Sequence, residues 1–541
     1  MLAKLLSYKE KLFFLAILLI FLLVLFKDPF STRTLIPEFD PFPDSIYYVN
    51  PSLSFLKGQG FNVVRKNQAI TPVVPVLYSV SLAPIFAVFS DPRMFFATNV
   101  ILAIISLTLL WLILNRITNN PWIKYFIAFL YVTNYIIYWY PSLGMAENLI
   151  LPLFLASVLT IFLRLTFRNL LLAAFLVVSF YATKYAAIPL TLTFFFIFLI
   201  KIFIAKNSKK IKLKYLLFYF ASFLLMGFIF ESYEFSFKHM GLLVDLGRFV
   251  VPISNSTPLA SATTTPAFSL QYVKHNLPIY ISLVTGYGGP ILWQYISLMP
   301  NYIARLALVG LISGLFFKQY RYLSVTLLLS QITSVFFMST FYTADARYTL
   351  IIIPSLLISL AILLTLIYQL SIKVKRKQLF YFFLVLFFSY YLVTNILRFK
   401  NQIMLNLKYS ETPWTYVAVK NINSYFEQTK SEKKPYLITA LAPYRVDFYS
   451  NNKYELLPLS KEQDWWSVKE KVWGSYDYSN LTTLYTNFFK DGSSLYLTNS
   501  GLGNEGYLHK AFDLVKANFI LTLVKPGCYD TCNVYKVELK Q

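Results

Sequence analysis

The sequence predicts a polytopic α-helical membrane protein that carries a smaller α/β domain outside the membrane. Three observations support this prediction. First, 57% of the 541 residues are hydrophobic and only 14% are charged, whereas soluble domains carry roughly 25% charged residues. Second, apolar runs of membrane-spanning length recur through positions 1–397. Third, residues 398–541 are polar and contain short strand-like runs.

Eleven apolar runs approach the length that a transmembrane helix needs. They lie at 12–26, 94–114, 122–140, 148–167, 169–186, 188–205, 215–231, 302–317, 322–340, 349–369 and 379–397. The fifth and sixth runs are almost continuous, and together they are too long for one span at about 1.5 Å per residue. We therefore expect the chain to fold back near Lys184 and Pro189.

Basic residues fall in short clusters between these runs, as topology signals do. If the ambiguous run at 70–89 stays on the outer surface, six clusters share one side, which the positive-inside rule identifies as the cytoplasm. These are the N-terminal lysines, Arg116 with Lys124, Arg164 with Arg168, 206–214, Lys318 with Arg321, and 373–377. Pro72, Pro75 and Pro84 also disfavour a straight helix. We predict a cytoplasmic N-terminus and an interfacial or re-entrant helix pair at 70–89, the alternative being a twelfth span.

This topology places three segments outside the membrane. They are a first outer loop at 27–93, a second large loop at 232–301 and everything from 398 onward. The chain is therefore divided into a transmembrane module at 1–397 and an extracytoplasmic α/β domain at 398–541. The net charge of +24 is spread over many clusters and not gathered on one polar domain, which argues against nucleic-acid binding.

The C-terminal domain contains five runs typical of strands. They are PYLITAL, YELLPL, SLYLT, FILTLV and NVYKVEL. Helices are expected around 411–428, 464–471 and 508–516. Cys528 and Cys532 lie between two of the strand-like runs. Outside the cytoplasm they are predicted to form a disulfide at a hairpin tip, and two free thiols are the alternative.

An acidic cluster follows the first predicted span. Glu38, Asp40 and Asp44 lie within seven residues, although the whole chain has only 25 acidic residues. Packing does not readily explain carboxylates in this place. They would lie at the outer boundary between membrane and water, where a carboxylate can serve as a general base.

Four motifs follow one another in an order that belongs to a known superfamily. They are D-S-I-Y-Y at 44–48 with L-K-G at 56–58, T-P-V-V-P-V-L-Y at 71–78, M-A-E-N-L at 145–149 and A-R-Y-T-L-I-I-I-P at 346–354. In these motifs the chain resembles the GT-C superfamily of polytopic glycosyltransferases, nearest to the protein O-mannosyltransferases and the aminoarabinose transferase of lipid A. Ser45 stands where many members carry a second acid, so Glu38 or Asp40 takes that role or it is absent.

The resemblance implies a GT-C fold and an enzyme of the cell membrane. Such an enzyme takes a sugar from a polyprenyl-phosphate donor on the outer face and passes it to a protein, lipid or glycan of the envelope. The transfer is expected to be a single displacement that inverts the anomeric carbon. The site needs a base near the acceptor and cations for the departing phosphate, which arginine meets with two donors. No cofactor is required by this resemblance, and the role of a divalent metal is left open.

Two acids are the predicted catalytic residues. Asp44 is the predicted base, and a helix N-cap is the alternative. Glu147 opens a predicted span, where an acid is costly and usually functional. It would orient the acceptor or hold a divalent cation with Asp44, the alternative being an acid favoured by the helix dipole. Asp40 and Glu38 are secondary candidates, either solvated or beside a metal.

Three cations are predicted to bind the donor phosphate. They are Lys184, Arg347 and Arg248. The alternatives are snorkelling to the interface for Lys184 and an ion pair with Asp345 for Arg347. Arg248 is a weaker candidate, as is Lys274.

A lipid or glycan flippase or transporter is the alternative function. Such proteins are also polytopic and basic, but they often show paired repeats and mid-membrane charges. Here the acids lie at the ends of predicted spans, and a polar domain follows the last one. A noncatalytic membrane scaffold is a third interpretation.

Overall fold

The computed structural model describes most of the chain, and the described part is mainly helical. The described residues are 8–25, 45–65, 68–70, 74–89, 94–238, 268–291, 294–341, 343–408, 414–428, 434–441, 446, 450, 453–461, 480–503, 506–527 and 532–540.

Helices dominate the first three quarters of the chain, and most strands lie in the last quarter. Helices α1 to α18 are, in order, Tyr8–Leu25, Ile46–Leu56, Leu77–Val88, Phe95–Ile117, Pro121–Val132, Tyr135–Trp139, Glu147–Ile161, Phe167–Thr183, Ile188–Ile204, Lys209–Lys238, Val273–Val284, Asn301–Phe316, Lys318–Ser339, Ile352–Lys373, Lys377–Lys408, Trp414–Gln428, Leu481–Lys490 and Gly506–Asn518. Strands β1 to β9 are Val63–Arg65, Gln68–Ile70, Gly289–Ile291, Gln294–Ile296, Tyr436–Thr439, Glu455–Pro458, Leu495–Thr498, Phe519–Lys525 and Val534–Leu539.

The predicted fold class, a polytopic helical membrane protein, is confirmed. Each of the eleven apolar runs coincides with helical structure. By length and composition, six helical segments of the described part could cross a membrane: Phe95–Ile117, Tyr185–Ile204, Lys209–Tyr233, Lys318–Ser339, Ala346–Lys373 and Lys377–Leu397. Helices α5, α7, α8 and α12 are apolar but shorter.

The chain folds back between α8 and α9, as predicted. Helix α8 ends at Thr183, and Lys184 has an extended backbone with φ −163° and ψ 137°. A single 3-10 turn, Tyr185–Ala187, then leads into α9. Pro189 lies in the first turn of α9, where its missing N–H leaves no helical hydrogen bond unmade.

The run at 122–140, which the sequence predicted as one span, is broken into α5 and α6. Asn134 lies between them and caps α6, because its side-chain oxygen accepts a hydrogen bond from the backbone N–H of Ile136 at 3.0 Å. Its amide group donates to the carbonyl oxygen of Leu298 at 2.8 Å. A polar cap inside an apolar run therefore overrides the hydrophobic pattern.

The run at 70–89 contains only the short helix α3. With 12 residues, this helix reaches about 18 Å, less than the roughly 30 Å of a bilayer core. It packs against α2, and the rings of Tyr48 and Tyr78 meet edge to face at 5.4 Å. The described part of 70–89 therefore contains one helix, whose partner is α2, where a helix pair was predicted; its placement at the interface stays a prediction.

Close packing of α12, α13 and α14 fixes the core of the late spans. A Cβ atom at Gly310 of α12 would overlap the backbone carbonyl oxygen of Ser359 on α14. A Cβ atom at Gly314 would overlap the hydroxyl group of Ser324 on α13. Small residues let helix backbones approach in this way, which is how helices associate in lipid.

The C-terminal domain is built on a five-stranded mixed sheet, as predicted. The strand order is β6-β5-β7-β9-β8, with β5 parallel to β6 and β7, and β9 antiparallel to β7 and β8. Helices α16 and α18 match the predictions around 411–428 and 508–516, and the predicted helix at 464–471 lies outside the described residues. Helix α17 was not predicted. Asn480 caps it by accepting a hydrogen bond from the Thr483 N–H.

The last long helix continues past the predicted domain boundary. Helix α15 begins at Lys377 and ends at Lys408, so the division at 397 falls inside it. In the segment predicted to be the second outer loop, the described residues form α11 and the antiparallel hairpin of β3 and β4.

Candidate functional site

The loop at 140–146 leads into α7, and two buried asparagines fix its shape. Asn99 on α4 donates to two carbonyl oxygens of the loop at 3.0 and 2.8 Å. Asn148, in the first turn of α7, donates to two loop carbonyl oxygens at 2.9 and 3.0 Å. Because buried carbonyl groups require partners, these amides hold the loop, and the start of α7, in one conformation.

The beginning of α2 lies against this loop. Ser45 donates a hydrogen bond to the sulfur of Met145 at 3.5 Å. At Gly144, a Cβ atom would meet a side chain of α2 at 3.1 Å, so the two segments are in direct contact. Asp44 lies outside the described residues. Its sequence neighbour Ser45 contacts the chain two positions before Glu147.

Glu147 and Lys184 form a buried ion pair. Lys184 Nζ lies 2.6 Å from Glu147 Oε1, and their side chains are 11% and 3% exposed. Helix α7 begins with Glu147, and the extended backbone at the break between α8 and α9 directs the Lys184 side chain toward it. The ammonium group also lies over the Tyr348 ring, 5.0 Å from its centroid. Burial makes this pair more strongly coupled than a surface pair.

Asp345 and Arg347 supply a second ion pair. Arg347 Nε lies 3.1 Å from Asp345 Oδ2, and Asp345 Oδ1 accepts a hydrogen bond from the Arg347 backbone N–H at 2.9 Å. Arg347 also donates to the Tyr348 hydroxyl at 2.8 Å. The Asp345 backbone N–H donates to the Tyr280 hydroxyl of α11 at 3.2 Å. Burial raises the pKa of the Asp345 carboxyl group, and the Arg347 guanidinium partly offsets this rise.

A single cavity brings these groups together. Its polar lining is Glu147, Lys184, Ser334, Arg347 and Tyr348, and its apolar lining includes side chains of α7, of α9 and of the turn before α14. The remaining space amounts to about one water molecule. The cluster therefore rests in a closed, internally paired state, with two acidic and two basic groups at the ends of apolar helices. An anion could enter only by taking over a cation from its present partner.

Three predicted site residues meet in this cavity, and four other acidic or phosphate-binding candidates lie outside the described residues. Glu147, Lys184 and Arg347 line it. The alternative considered for Arg347, the pair with Asp345, is also present. Asp44, Asp40, Glu38 and Arg248 lie outside the described residues. Cys532 is buried, but Cys528 also lies outside them, so the disulfide stays a prediction. Within the described residues, no three His, Cys, Asp or Glu side chains converge to hold a metal ion.

Two tyrosines of the site were not predicted. Tyr348 contacts both cations, and its place beside Arg347 in the A-R-Y motif could have revealed it. Tyr140 is 1% exposed, and the charges of Glu147, Arg347 and Asp345 act on its hydroxyl group. No sequence signal marked Tyr140, because an aromatic residue at the end of an apolar run is ordinary.

Solved structures with the same fold were found by comparison of the whole chain. The crystal structure of ArnT from Cupriavidus metallidurans bound to undecaprenyl phosphate matches with a TM-score of 0.59 and 10% sequence identity, covering 97% of each chain. The apo structure of the same ArnT matches with a TM-score of 0.57, also at 10% identity and 97% coverage of each chain. The GT-C fold that the sequence motifs implied is thereby confirmed. None of the protein-family models matches the sequence, and no curated protein matches it either.

Proposed function

We propose that this chain is an integral membrane glycosyltransferase that transfers a sugar from a polyprenyl-phosphate-linked donor to an envelope acceptor. The observation that carries the proposal is the cavity in which Lys184 and Arg347 lie beside the buried acid Glu147. The fold supports it, because one of the matching structures is an ArnT with undecaprenyl phosphate bound. Fold alone does not determine chemistry, which depends here on what these side chains can do.

The two cations suit the departing phosphate. In the proposed reaction an acceptor oxygen or nitrogen attacks the anomeric carbon, and the bond from that carbon to the phosphate oxygen breaks. The lipid phosphate leaves with the electron pair and gains negative charge. Lys184 supplies a point charge and Arg347 a planar set of donors, and both stabilise the developing charge in a site that excludes water.

The acids serve the acceptor. Asp44 is the proposed base that takes the acceptor proton, and its sequence neighbour Ser45 contacts Met145, two positions before Glu147. Glu147 would orient the acceptor. Because attack and departure take place on opposite sides of the anomeric carbon, the proposed transfer inverts its configuration. No step of this proposal requires a metal.

The donor must open the closed cluster. A phosphate group is much larger than the one-water space among the side chains. We therefore propose that Lys184 leaves Glu147 for the phosphate as the donor binds. This exchange frees Glu147 only when a donor is present, which couples the acid to the bound substrate.

The proposed topology places this chemistry on the outer face. The N-terminus is cytoplasmic, and the C-terminal domain lies outside, where it would cover the site or select the acceptor. Basic clusters between the apolar helices support this orientation. The proposed acceptor class is a protein, lipid or glycan of the envelope.

Transfer from a labelled polyprenyl-phosphate sugar tests the proposal. The purified protein in lipid nanodiscs should release polyprenyl phosphate and label an envelope extract. The Asp44→Asn and Lys184→Gln variants should lose this transfer, whereas Lys434→Gln, at a half-exposed position on the C-terminal domain, should keep it. A flippase would move the lipid without breaking its sugar bond, and a scaffold would do neither. Either result would overturn the proposal.

A further inference from the structure

Two oxygen atoms in the site are buried without hydrogen-bond partners. They are Oε2 of Glu147 and the hydroxyl oxygen of Tyr140, and neither has a partner among the described residues. Both residues are almost completely inaccessible, at 2% and 1% exposure. An unpaired polar atom in such a place is costly. Two such atoms side by side indicate that another state of the protein provides them with hydrogen bonds.

Tyr140 is held where its hydroxyl group faces the charged cluster. Its backbone lies in the loop that Asn148 fixes, with that amide 3.5 Å from the Tyr140 carbonyl oxygen. Its ring meets the Trp139 ring edge to face at 6.3 Å. The charges that act on the hydroxyl come from Glu147 on α7 and from Arg347 and Asp345 on the turn before α14. The hydroxyl also lies close enough to the Glu147 carboxylate to interact with it, although short of hydrogen-bond geometry. The hydroxyl group is thus confined beside the acid, and a small rotation suffices to donate to it.

At present Lys184 satisfies one oxygen of Glu147. If Lys184 turns to a donor phosphate, the acid loses that partner while it remains buried. A buried carboxylate without a hydrogen bond is strongly disfavoured. Another hydrogen-bond donor must therefore lie close to Glu147. It cannot be Arg347, which the phosphate needs, and it cannot be bulk water, which does not reach the buried carboxylate.

We propose that Tyr140 is a positioning residue that donates its hydroxyl hydrogen bond to Glu147 when the donor phosphate takes Lys184. The inference rests on the proposed function, because the exchange needs a lipid phosphate. The paired hydroxyl fixes the carboxylate in the orientation that serves the acceptor. Before the donor arrives, the same hydroxyl does not stabilise the fold, since it is buried without a hydrogen bond.

Two matched variants separate this role from ordinary packing. Tyr140→Phe removes only the hydroxyl group. Tyr219→Phe removes another buried, unpaired tyrosine hydroxyl on α10, outside the cavity. Neither change creates a cavity of any size, so both variants should unfold at or slightly above the wild-type temperature without lipid. A clear loss of stability in Tyr140→Phe alone would contradict the unpaired resting state.

Binding of undecaprenyl phosphate in detergent micelles, with the phosphate-free polyprenol as a control, is the decisive measurement. Tyr140→Phe should weaken phosphate binding about tenfold or more, as expected for a lost hydrogen bond to a charged group, and Tyr219→Phe should bind as the wild type does. In transfer assays, kcat of Tyr140→Phe should fall by a similar factor while KM for the acceptor stays within about twofold. Equal binding by both variants overturns the role of Tyr140. Failure of the wild-type protein to bind the phosphate overturns the proposed function, and the inference with it.

Discussion

Removal of the negative charge of Glu147 should tighten the binding of a polyprenyl phosphate. The substitution Glu147→Gln keeps the size of the side chain and an oxygen that can accept a hydrogen bond from Lys184. It removes the ion pair that now occupies the lysine. If Lys184 is the phosphate ligand, the acid competes with the donor, and its neutral replacement favours the lipid. If the pair were merely structural, the same change would weaken folding and leave lipid binding unimproved.

The size of the effect follows from the geometry. The charges of Glu147 and Lys184 are 2.6 Å apart, which corresponds to a Coulomb attraction of about 6 kcal/mol at an effective dielectric constant of about 20. When the phosphate binds, its attraction to Lys184 replaces most of the attraction between Lys184 and Glu147. The phosphate then lies near the ionised acid, and two like charges about 6 Å apart repel by about 3 kcal/mol. Allowing for screening and relaxation, we expect about tenfold to a hundredfold tighter binding in Glu147→Gln.

Titration of the purified protein with undecaprenyl phosphate in micelles measures this difference. The matched control is Glu10→Gln, because Glu10 is paired with Lys124 at 2.5 Å in a second largely buried ion pair outside the cavity. That variant should bind the lipid with unchanged affinity. Transfer by Glu147→Gln should fall despite the tighter binding, because the acceptor is no longer oriented. Weaker or unchanged lipid binding in Glu147→Gln would refute the exchange of Lys184 between acid and phosphate.

Three further predictions concern Asp345, the packing of the late helices and the C-terminal cysteines. Binding of the lipid phosphate should strengthen as the pH falls through the raised pKa of Asp345, because protonation removes a negative charge beside the phosphate. In binding titrations, Asp345→Asn should bind the lipid at least as tightly as the wild type and should lack this pH dependence. Gly310→Ala should lower the free energy of unfolding by about 1–3 kcal/mol, because the added methyl group overlaps a carbonyl group of α14; Gly506→Ala, with open space around it, should leave the melting temperature unchanged. Finally, Cys528 and Cys532 should resist alkylation until reduced, as mass spectrometry of the C-terminal peptide would show, and labelling without reduction would identify two thiols.

Hydrophobic patterning predicted most of the fold, because both the lipid and the protein core require a helix with apolar side chains. Each of the eleven apolar runs coincides with helical structure. The fold-back at Lys184 was predicted from the combined length of two runs and from a proline alone. The pattern failed where a polar cap interrupts an apolar run, as at Asn134. It also missed α17, where the cap Asn480 starts a helix that is polar on one side. Caps act through single hydrogen bonds, which composition does not register.

The sequence predicted individual residues of the candidate site but not how their side chains pair in space. Glu147, Lys184 and Arg347 were each identified from their places at the ends of apolar runs. The Asp345 partner of Arg347 was foreseen as an alternative, but the pairing of Glu147 with Lys184 could not be deduced, because they are 37 positions apart and meet only through the packing of α7 against α8. Tyr140 carries no signal in the sequence at all. Its significance comes from burial beside an acid, which only the folded chain defines.

Charge balance bears on the metal question that the sequence left open. Among the described residues of the cluster, the two acids Glu147 and Asp345 are balanced at rest by two cations. A bound lipid phosphate adds at least one negative charge to a nearly closed site, and an unbalanced buried charge is costly. The balance must come from a proton or from a cation. Asp345, with a pKa already raised by burial, is the group best placed to take up a proton, because a nearby anion raises its pKa further. Proton uptake makes lipid binding stronger at lower pH and insensitive to chelators, whereas a divalent ion would make it sensitive to chelators at every pH.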